Sequence, residues 1–275
     1  MYYQPELETM SREELEKLQL NRLKDLVKRV YEKIPFYKES FDAAGVKPED
    51  IRSLNDITKL PFTIKQDLRD AYPFKMFAVP QSEVVRIHCS SGTTGTATVV
   101  GYTKHDLEVW GDCFARFLYA ADCDKNATIQ IAYGYGLFTG GLGAHTGGET
   151  AGCTVLPMST GNTKRQVRLM HDFNVDCLCC TPSYALNIAD VAYEEGFNPA
   201  DDFKIHSAIL GAEPCSEGMR KEIERKLGVR VHDIYGLSEV MGPGVACECE
   251  KQNGLHVCED HFIIEVVDPK TLQPV

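Results

Sequence analysis

An α/β fold built on a mostly parallel sheet flanked by helices is what three observations predict for this chain. From about residue 84 onward, short apolar, β-branched runs alternate with amphipathic helical windows, the pattern of strands joined by crossover helices. Several strand-like runs end in segments rich in glycine and hydroxyl residues, and ligands of such sheets collect at the carboxyl ends of the strands. The chain has 275 residues, 43% of them hydrophobic and 25% charged. That is enough for a large core and a length prior of roughly two domains.

The elements follow in order. Ser11-x-x-Glu14 is a capping box, and Leu15, Leu18, Leu23, Leu26, Val27, Val30 and Ile34 recur at helical spacing until Pro35. Thr63-x-x-Gln66 reads as a second box opening a short helix with Leu68, so residues 1–80 form a helical N-terminal collar. Strands are expected at 84–89, 98–102, 127–133, 154–156, 176–180, 205–210 and 229–234, with helices at 104–121, 164–173, 183–196 and 216–227. Residues 81–240 are thus the α/β region. Residues 241–275 are expected to hold a short β/zinc hairpin, then a strand at 262–267 that starts a β subdomain.

Three segments carry candidate chemistry. The first is Ser90-Ser91-Gly92-Thr93-Thr94-Gly95, behind Val84-Val85-Arg86-Ile87-His88-Cys89. Its glycines let backbone N–H groups turn inward and its hydroxyls add donors, as a polyphosphate requires. A P-loop needs Lys-Ser or Lys-Thr closing its glycine frame, whereas Gly95 is followed by Thr96 and the next lysine is Lys104. The second segment is Gly211-Ala212-Glu213-Pro214 and the third Asp233-Ile234-Tyr235-Gly236-Leu237-Ser238-Glu239, each behind a strand-like run.

Together and in this order, the three segments resemble the adenylate-forming superfamily of acyl-CoA ligases. The likeness sharpens toward phenylacetate-CoA ligases at Tyr133-Gly134-Tyr135-Gly136-Leu137-Phe138-Thr139-Gly140-Gly141-Leu142-Gly143-Ala144-His145, at Leu60-Pro61-Phe62-Thr63 and at Cys180-Thr181-Pro182-Ser183-Tyr184. It runs from about Leu15 to the last residue. The resemblance implies the N-terminal large domain of these enzymes and a two-step reaction. A carboxylate attacks the α-phosphate of ATP, and the thiol of coenzyme A then displaces AMP. It implies that Ser90, Ser91, Gly92, Thr93, Thr94 and Gly95 cradle phosphates, and that Gly211, Ala212, Glu213 and Pro214 line the adenine. Tyr235, in the Ile234-Tyr235-Gly236 run, would stack on the base, with Asp233 near its exocyclic amine. Ser238 would donate to the α-phosphate and Glu239 would hold Mg²⁺, a hard ion suited to carboxylate oxygen. The acid pocket would lie along Tyr135, Phe138, Gly140, Gly141 and Ala144, with aromatic walls suited to an aryl acid. The plain alternatives are packing for Tyr235 and an unconstrained glycine-rich loop at 134–143.

Cys247-x-Cys249-x6-His256-x-Cys258 supplies three thiols and an imidazole, the donor set of a structural zinc site, around the turn-like Lys251-Gln252-Asn253-Gly254. His261 competes with His256 as the fourth ligand, and free cysteines on a hairpin are the plain alternative. Cys177, Cys179 and Cys180 lie in an apolar strand and read as small core residues.

A formal net charge of −11 leaves no basic stripe for nucleic acid. No apolar run approaches the roughly 20 residues of a membrane span. Eleven cysteines, an odd number, with no secretory signal, point to reduced thiols and a cytoplasmic location. The expected partners are an aryl acid, ATP and coenzyme A, with a homodimer as a further expectation. The resemblance also implies a small lid domain carrying a catalytic lysine, expected beyond Val275, so that this chain alone would turn over little. A second reading is a catalytically inactive nucleotide- and zinc-binding fragment acting as a scaffold or partner.

Overall fold

The computed structural model describes residues 1–90, 97–271, 273 and 275. The chain divides into two compact units, residues 5–80 with 257–275, and residues 1–4 with 81–256.

The unit of residues 5–80 and 257–275 contains α1 (Pro5–Glu8), α2 (Arg12–Lys33), α3 (Pro35–Ala43) and α4 (Lys65–Asp70). The Ser11–Glu14 box is formed, with Glu14 N donating to Ser11 Oγ and Ser11 N to Glu14 Oε2. Pro35 ends α2, since it lacks an N–H and restricts Ile34 to extended backbone. Leu23 and Val27 pack with Phe41 and Ile51, while Leu26, on the apolar period in sequence, is 52% exposed. The second box starts one residue later than expected. Ile64 is the cap, and the Asp67 carboxylate, not Gln66, accepts its N–H at 2.8 Å. The expected strand at 262–267 does not form. That segment has a lone bridge at Val267, and it closes a turn of its own in which Val275 N donates to Val266 O.

In the other unit, β1 (Arg86–Cys89) and β2 (Val99–Tyr102) pair antiparallel as a separate sheet, with Cys89 opposite Val99. Then come α5 (Lys104–Ala120), β3 (Thr128–Ile131), α6 (Thr139–Ala151), β4 (Thr154–Pro157), α7 (Thr163–Asp172) and β5 (Cys177–Cys180). They are followed by α8 (Pro182–Glu194), α9 (Pro199–Asp202), β6 (Ser207–Gly211), α10 (Glu217–Leu227), β7 (Arg230–Leu237), β8 (Gly242–Glu248) and β9 (Leu255–Val257). The main sheet runs β4-β3-β5-β6-β7-β8-β9, parallel from β4 through β7, with β8 antiparallel to β7. The chain leaves β3 for β4 on one side and for β5 on the other, which makes a topological switch at their carboxyl ends.

The period of two in the strands sets the layers. Leu178 and Cys180 of β5, Ala208 and Leu210 of β6 and Val231 of β7 face Val167, Met170, Ile188, Ile223 and Leu227 of α7, α8 and α10. Each such fully buried Leu, Ile or Met contributes roughly 1.5–3 kcal/mol. Among these strand residues, the cysteines of β5 are fully buried, as expected of core residues.

The glycine-rich segment, for which an unconstrained loop is the plain alternative, enters helix α6 at Thr139. A Cβ at Gly143 would stand 2.4 Å from Trp110 Cζ2, and one at Gly147 would stand 2.4 Å from Phe114 Cβ. The glycines admit α5 at contact distance. That tertiary packing outweighs the ~1 kcal/mol each costs in a helix.

Candidate active site

The loop Ser91, Gly92, Thr93, Thr94 and Gly95 lies outside the described residues; its two ends do not. Ser90 N donates to Thr98 O and Thr98 N donates to Ser90 Oγ, both at 3.0 Å, so the β1 and β2 ends are pinned together where the loop leaves the sheet. Thr98 is fully buried, and its hydroxyl donates to Glu239 Oε1 at 3.1 Å. The base of the first segment and the carboxylate of the third are therefore in direct contact. In sequence Thr98 closes the hydroxyl-rich stretch and opens the expected strand at 98–102, with no individual role of its own.

Glu239 and Ser238 sit in a short 3-10 turn, Ser238–Val240, that follows β7 directly. A bulge at Tyr235/Gly236 bends β7 toward β8. Gly236 is required there, because a Cβ would fall 1.9 Å from the Gly242 carbonyl oxygen. Ile234 is buried, whereas Tyr235 is 51% exposed, a ring available to a ligand rather than packed in the core.

Gly211 pairs with Ile234 across β6 and β7 and also has no space for a Cβ, with Ile234 O only 2.6 Å away. Ala212 follows in the left-handed region at φ +71°. Glu213 Oε1 then accepts the N–H of Ser183 at 2.6 Å, tying this turn to the start of α8. Carboxylates are favoured at helix N-termini, where backbone N–H groups lack helical partners. Pro214 and Ala212 are exposed at the carboxyl end of the sheet.

Asp233 is half-buried. Desolvation pushes its carboxyl above the usual range, with Glu248 adding to the rise and Arg220 opposing it. Its N–H donates to Glu248 Oε2 at 2.9 Å. Arg220 and Glu248 form a buried two-pronged ion pair at 2.7 and 3.0 Å. Neither was singled out from sequence: Arg220 lies on an ordinary amphipathic helix, and Glu248 between two cysteines that drew the attention.

Beyond β3, Tyr135 is half-buried, and burial raises its phenol above the ordinary range. Its hydroxyl lies 3.2 Å from His145 Nδ1, and His145 Nε2 lies 3.2 Å from Glu149 Oε1. Phe138 caps α6 and is 45% exposed, its ring over Gly140, where a Cβ would stand 2.4 Å from Phe138 Cε1. Gly141 faces the Gly134 carbonyl oxygen at 2.6 Å by the same construction, and Ala144 is fully buried in α6. Tyr135 and Phe138 are thus the accessible members of the expected acid pocket, while Gly141 and Ala144 are occupied by packing.

The metal readings fare differently. Glu239 offers hard oxygen beside Thr98, a donor that fits Mg²⁺ together with phosphate oxygens. The thiol and imidazole set suits zinc in its chemistry. Among the described residues, however, no group of three or more His, Cys, Asp or Glu side chains is gathered to hold a metal. Cys247, Cys249, His256 and Cys258 are therefore not brought together as a zinc site. Cys247 is buried in β8, Cys249 accepts from Lys251 N, His256 is exposed on β9, and Cys258 is buried. His261 stands against the Arg22 guanidinium and beside the Asp260 carboxylate. The short arms β8 and β9 do meet at the sheet edge, as the turn predicted.

Among the described residues, no helix is long and apolar enough to cross a membrane. In comparisons with known proteins, residues 8–275 match the AMP-binding enzyme family. The chain is 53% identical over 276 residues to a phenylacetate-coenzyme A ligase of Thermus thermophilus, covering all of this chain and 62% of that protein. It is also 53% identical over 270 residues to the phenylacetate-coenzyme A ligase of Escherichia coli, covering 98% of this chain and 62% of the relative. The fold superimposes on the crystal structure of 2-hydroxyisobutyryl-CoA ligase in complex with 2-HIB-AMP and CoA. The TM-score is 0.93 at 29% identity, over all of this chain and 60% of that one. With a family match across nearly its whole length, the chain belongs to the AMP-binding enzyme family.

Proposed function

We propose that this chain supplies the nucleotide- and acid-binding part of an enzyme that joins phenylacetate, or a close aryl acid, to coenzyme A through an acyl-adenylate. The observation that carries the reading is the contact between Thr98 and Glu239. It unites the base of the hydroxyl-rich loop with the Tyr-Gly-x-Ser-Glu segment, in a chain 53% identical to phenylacetate-coenzyme A ligases.

In the first step an oxygen of the acid carboxylate bonds to the α-phosphorus of ATP, and the bond to pyrophosphate breaks. Negative charge crowds the phosphate oxygens, so donors fixed in advance lower the barrier. Ser90, the loop hydroxyls of Ser91, Thr93 and Thr94, the N–H groups of Gly92 and Gly95, and Ser238 are those donors. Glu239 would repel the phosphates by itself. Mg²⁺ held by Glu239 would supply a positive charge shared between carboxylate and phosphate. Tyr235 offers its face to adenine beside the Gly211-Ala212-Glu213-Pro214 turn, and the Asp233 carboxylate accepts from the exocyclic amine. In the second step the coenzyme A sulfur bonds to the acyl carbon, and AMP leaves with the electron pair of the broken C–O bond. Tyr135 and Phe138 hold the aryl ring.

Competition between non-hydrolysable acyl-adenylate mimics tests the reading on the chain itself. The phenylacetyl mimic should bind about tenfold or more tightly than a hexadecanoyl mimic. Equal or reversed affinities would contradict the aryl-acid assignment, and no binding of either would contradict the nucleotide assignment.

A further inference from the structure

The buried pair of Arg220 and Glu248 stands outside the nucleotide-contacting residues, yet it grips the strand that carries them. Both Glu248 oxygens accept from the Arg220 fork, and Glu248 Oε2 also accepts the Asp233 N–H at 2.9 Å. Arg220 Nη1 additionally reaches Val231 O at 3.5 Å. One ion pair therefore contacts β7 at Val231 and at Asp233, two residues before Tyr235, and ties it to α10 and to the end of β8. Both side chains are nearly inaccessible, at 9% and 8%. Burying two charges costs several kcal/mol per ion before their attraction offsets it, so such a pair is a poor device for stability alone. It is a good device for fixing geometry, since the guanidinium fork is rigid and directional.

We infer that Arg220 and Glu248 are positioning residues for adenine recognition, holding the Asp233–Tyr235 stretch in register with the Gly211-Ala212-Glu213-Pro214 turn. The inference rests on the nucleotide reading given above, and it adds residues that do not touch the ligand. The charges also matter. Burial pushes the Asp233 carboxyl up most, Glu248 adds to the rise and Arg220 opposes it, so the pair also acts on Asp233 electrostatically.

The test compares AMP with inosine monophosphate, which carries a carbonyl where adenine carries its amine, by calorimetric titration of the 275-residue chain. The unaltered chain should prefer AMP about tenfold. In Glu248→Gln the affinity for AMP should fall about tenfold with that for inosine monophosphate little changed, so the preference collapses. Arg220→Lys, which keeps the charge and loses the fork, should fall between. Glu222→Gln, on an exposed face of α10, should leave both affinities unchanged. A role confined to stability would lower both affinities together or only the melting temperature, and an unchanged ratio in both variants overturns the inference. Hydrogen exchange of the unaltered chain adds a readout that needs no variant, since AMP should slow exchange at the Asp233 amide. Loss of folding in both variants, with an Asp233 amide insensitive to AMP, would also overturn it. If the unaltered chain bound no AMP, the nucleotide reading itself would fail.

Discussion

The hydroxyl of Thr98 donates to the carboxylate of Glu239 across a separation of 141 residues, at 3.1 Å and with Thr98 fully buried. This bond holds the carboxylate proposed for Mg²⁺ beside Thr98, at the start of β2. Thr98→Val preserves shape and deletes the donor. It should cost about 0.5–1.5 kcal/mol of stability, a typical net hydrogen bond. It should weaken AMP or ATP binding in the presence of Mg²⁺ by several-fold while leaving metal-free binding nearly unchanged. Paired titrations with Mg²⁺ and with a chelator check this, and equal losses in both would argue against it.

Gly236 should tolerate no side chain. Gly236→Ala places a methyl where the Gly242 carbonyl already stands, forcing β8 off β7 at the bulge. Overpacking of this kind costs ~1–3 kcal/mol or more. Gly134→Ala meets nothing within 4 Å and should cost less than about 1 kcal/mol. Urea denaturation of the two variants reads the difference directly.

Phe138, not Ala144, is the residue with which to probe the acid pocket. Ala144 is fully buried in α6, so enlarging it would disturb packing before it touched any ligand. Phe138→Ala removes a 45% exposed ring and should leave stability within about 1 kcal/mol. Binding of the phenylacetyl-adenylate mimic should weaken roughly tenfold, the loss of a buried aromatic contact, with AMP unaffected. Parallel titrations of mimic and AMP measure both.

The contribution of His232 to stability should fall as the solution is acidified through neutrality. Burial holds His232 below its ordinary 6.5, so the unfolded chain binds the extra proton first. The contribution is intact above 6.5 and is lost as pH falls below it. His206, raised by Cys123, acts in the opposite sense, stabilising below 6.5 and losing that effect as pH rises through its folded value. Comparing the chain with His232→Gln cancels such other groups. The variant should lose less stability between about pH 7.5 and about pH 5.5 than the parent. Parallel slopes in urea denaturation would show that His232 does not titrate as described.

The strands and helices of the sheet were legible wherever local period and local packing agree, as in β5 through β7 with α7, α8 and α10. They were illegible where a distant partner decides. Helix α6 is glycine-rich because Trp110 and Phe114 of α5 lie against it, and no local signal carries that. The expected strand at 262–267 has the right residues, yet among the described residues it makes only a lone bridge at Val267. At the site, the three segments were visible as motifs, whereas Thr98, Arg220 and Glu248 act through contacts made only on folding. The cysteines near β8 show the converse. Their spacing fits zinc, yet among the described residues no group of three or more such side chains is gathered to hold a metal.

The most direct test of the central claim is a crystal structure of the chain with the phenylacetyl-adenylate mimic and Mg²⁺. Adenine should cover the Tyr235 ring, now 51% exposed, beside Ala212 and Pro214. Ser238 should lie within hydrogen-bond reach of the phosphate-mimicking group, and the aryl ring should rest on Phe138. A mimic bound elsewhere, with Tyr235 still open to solvent and the Thr98–Glu239 corner unoccupied, would contradict the account.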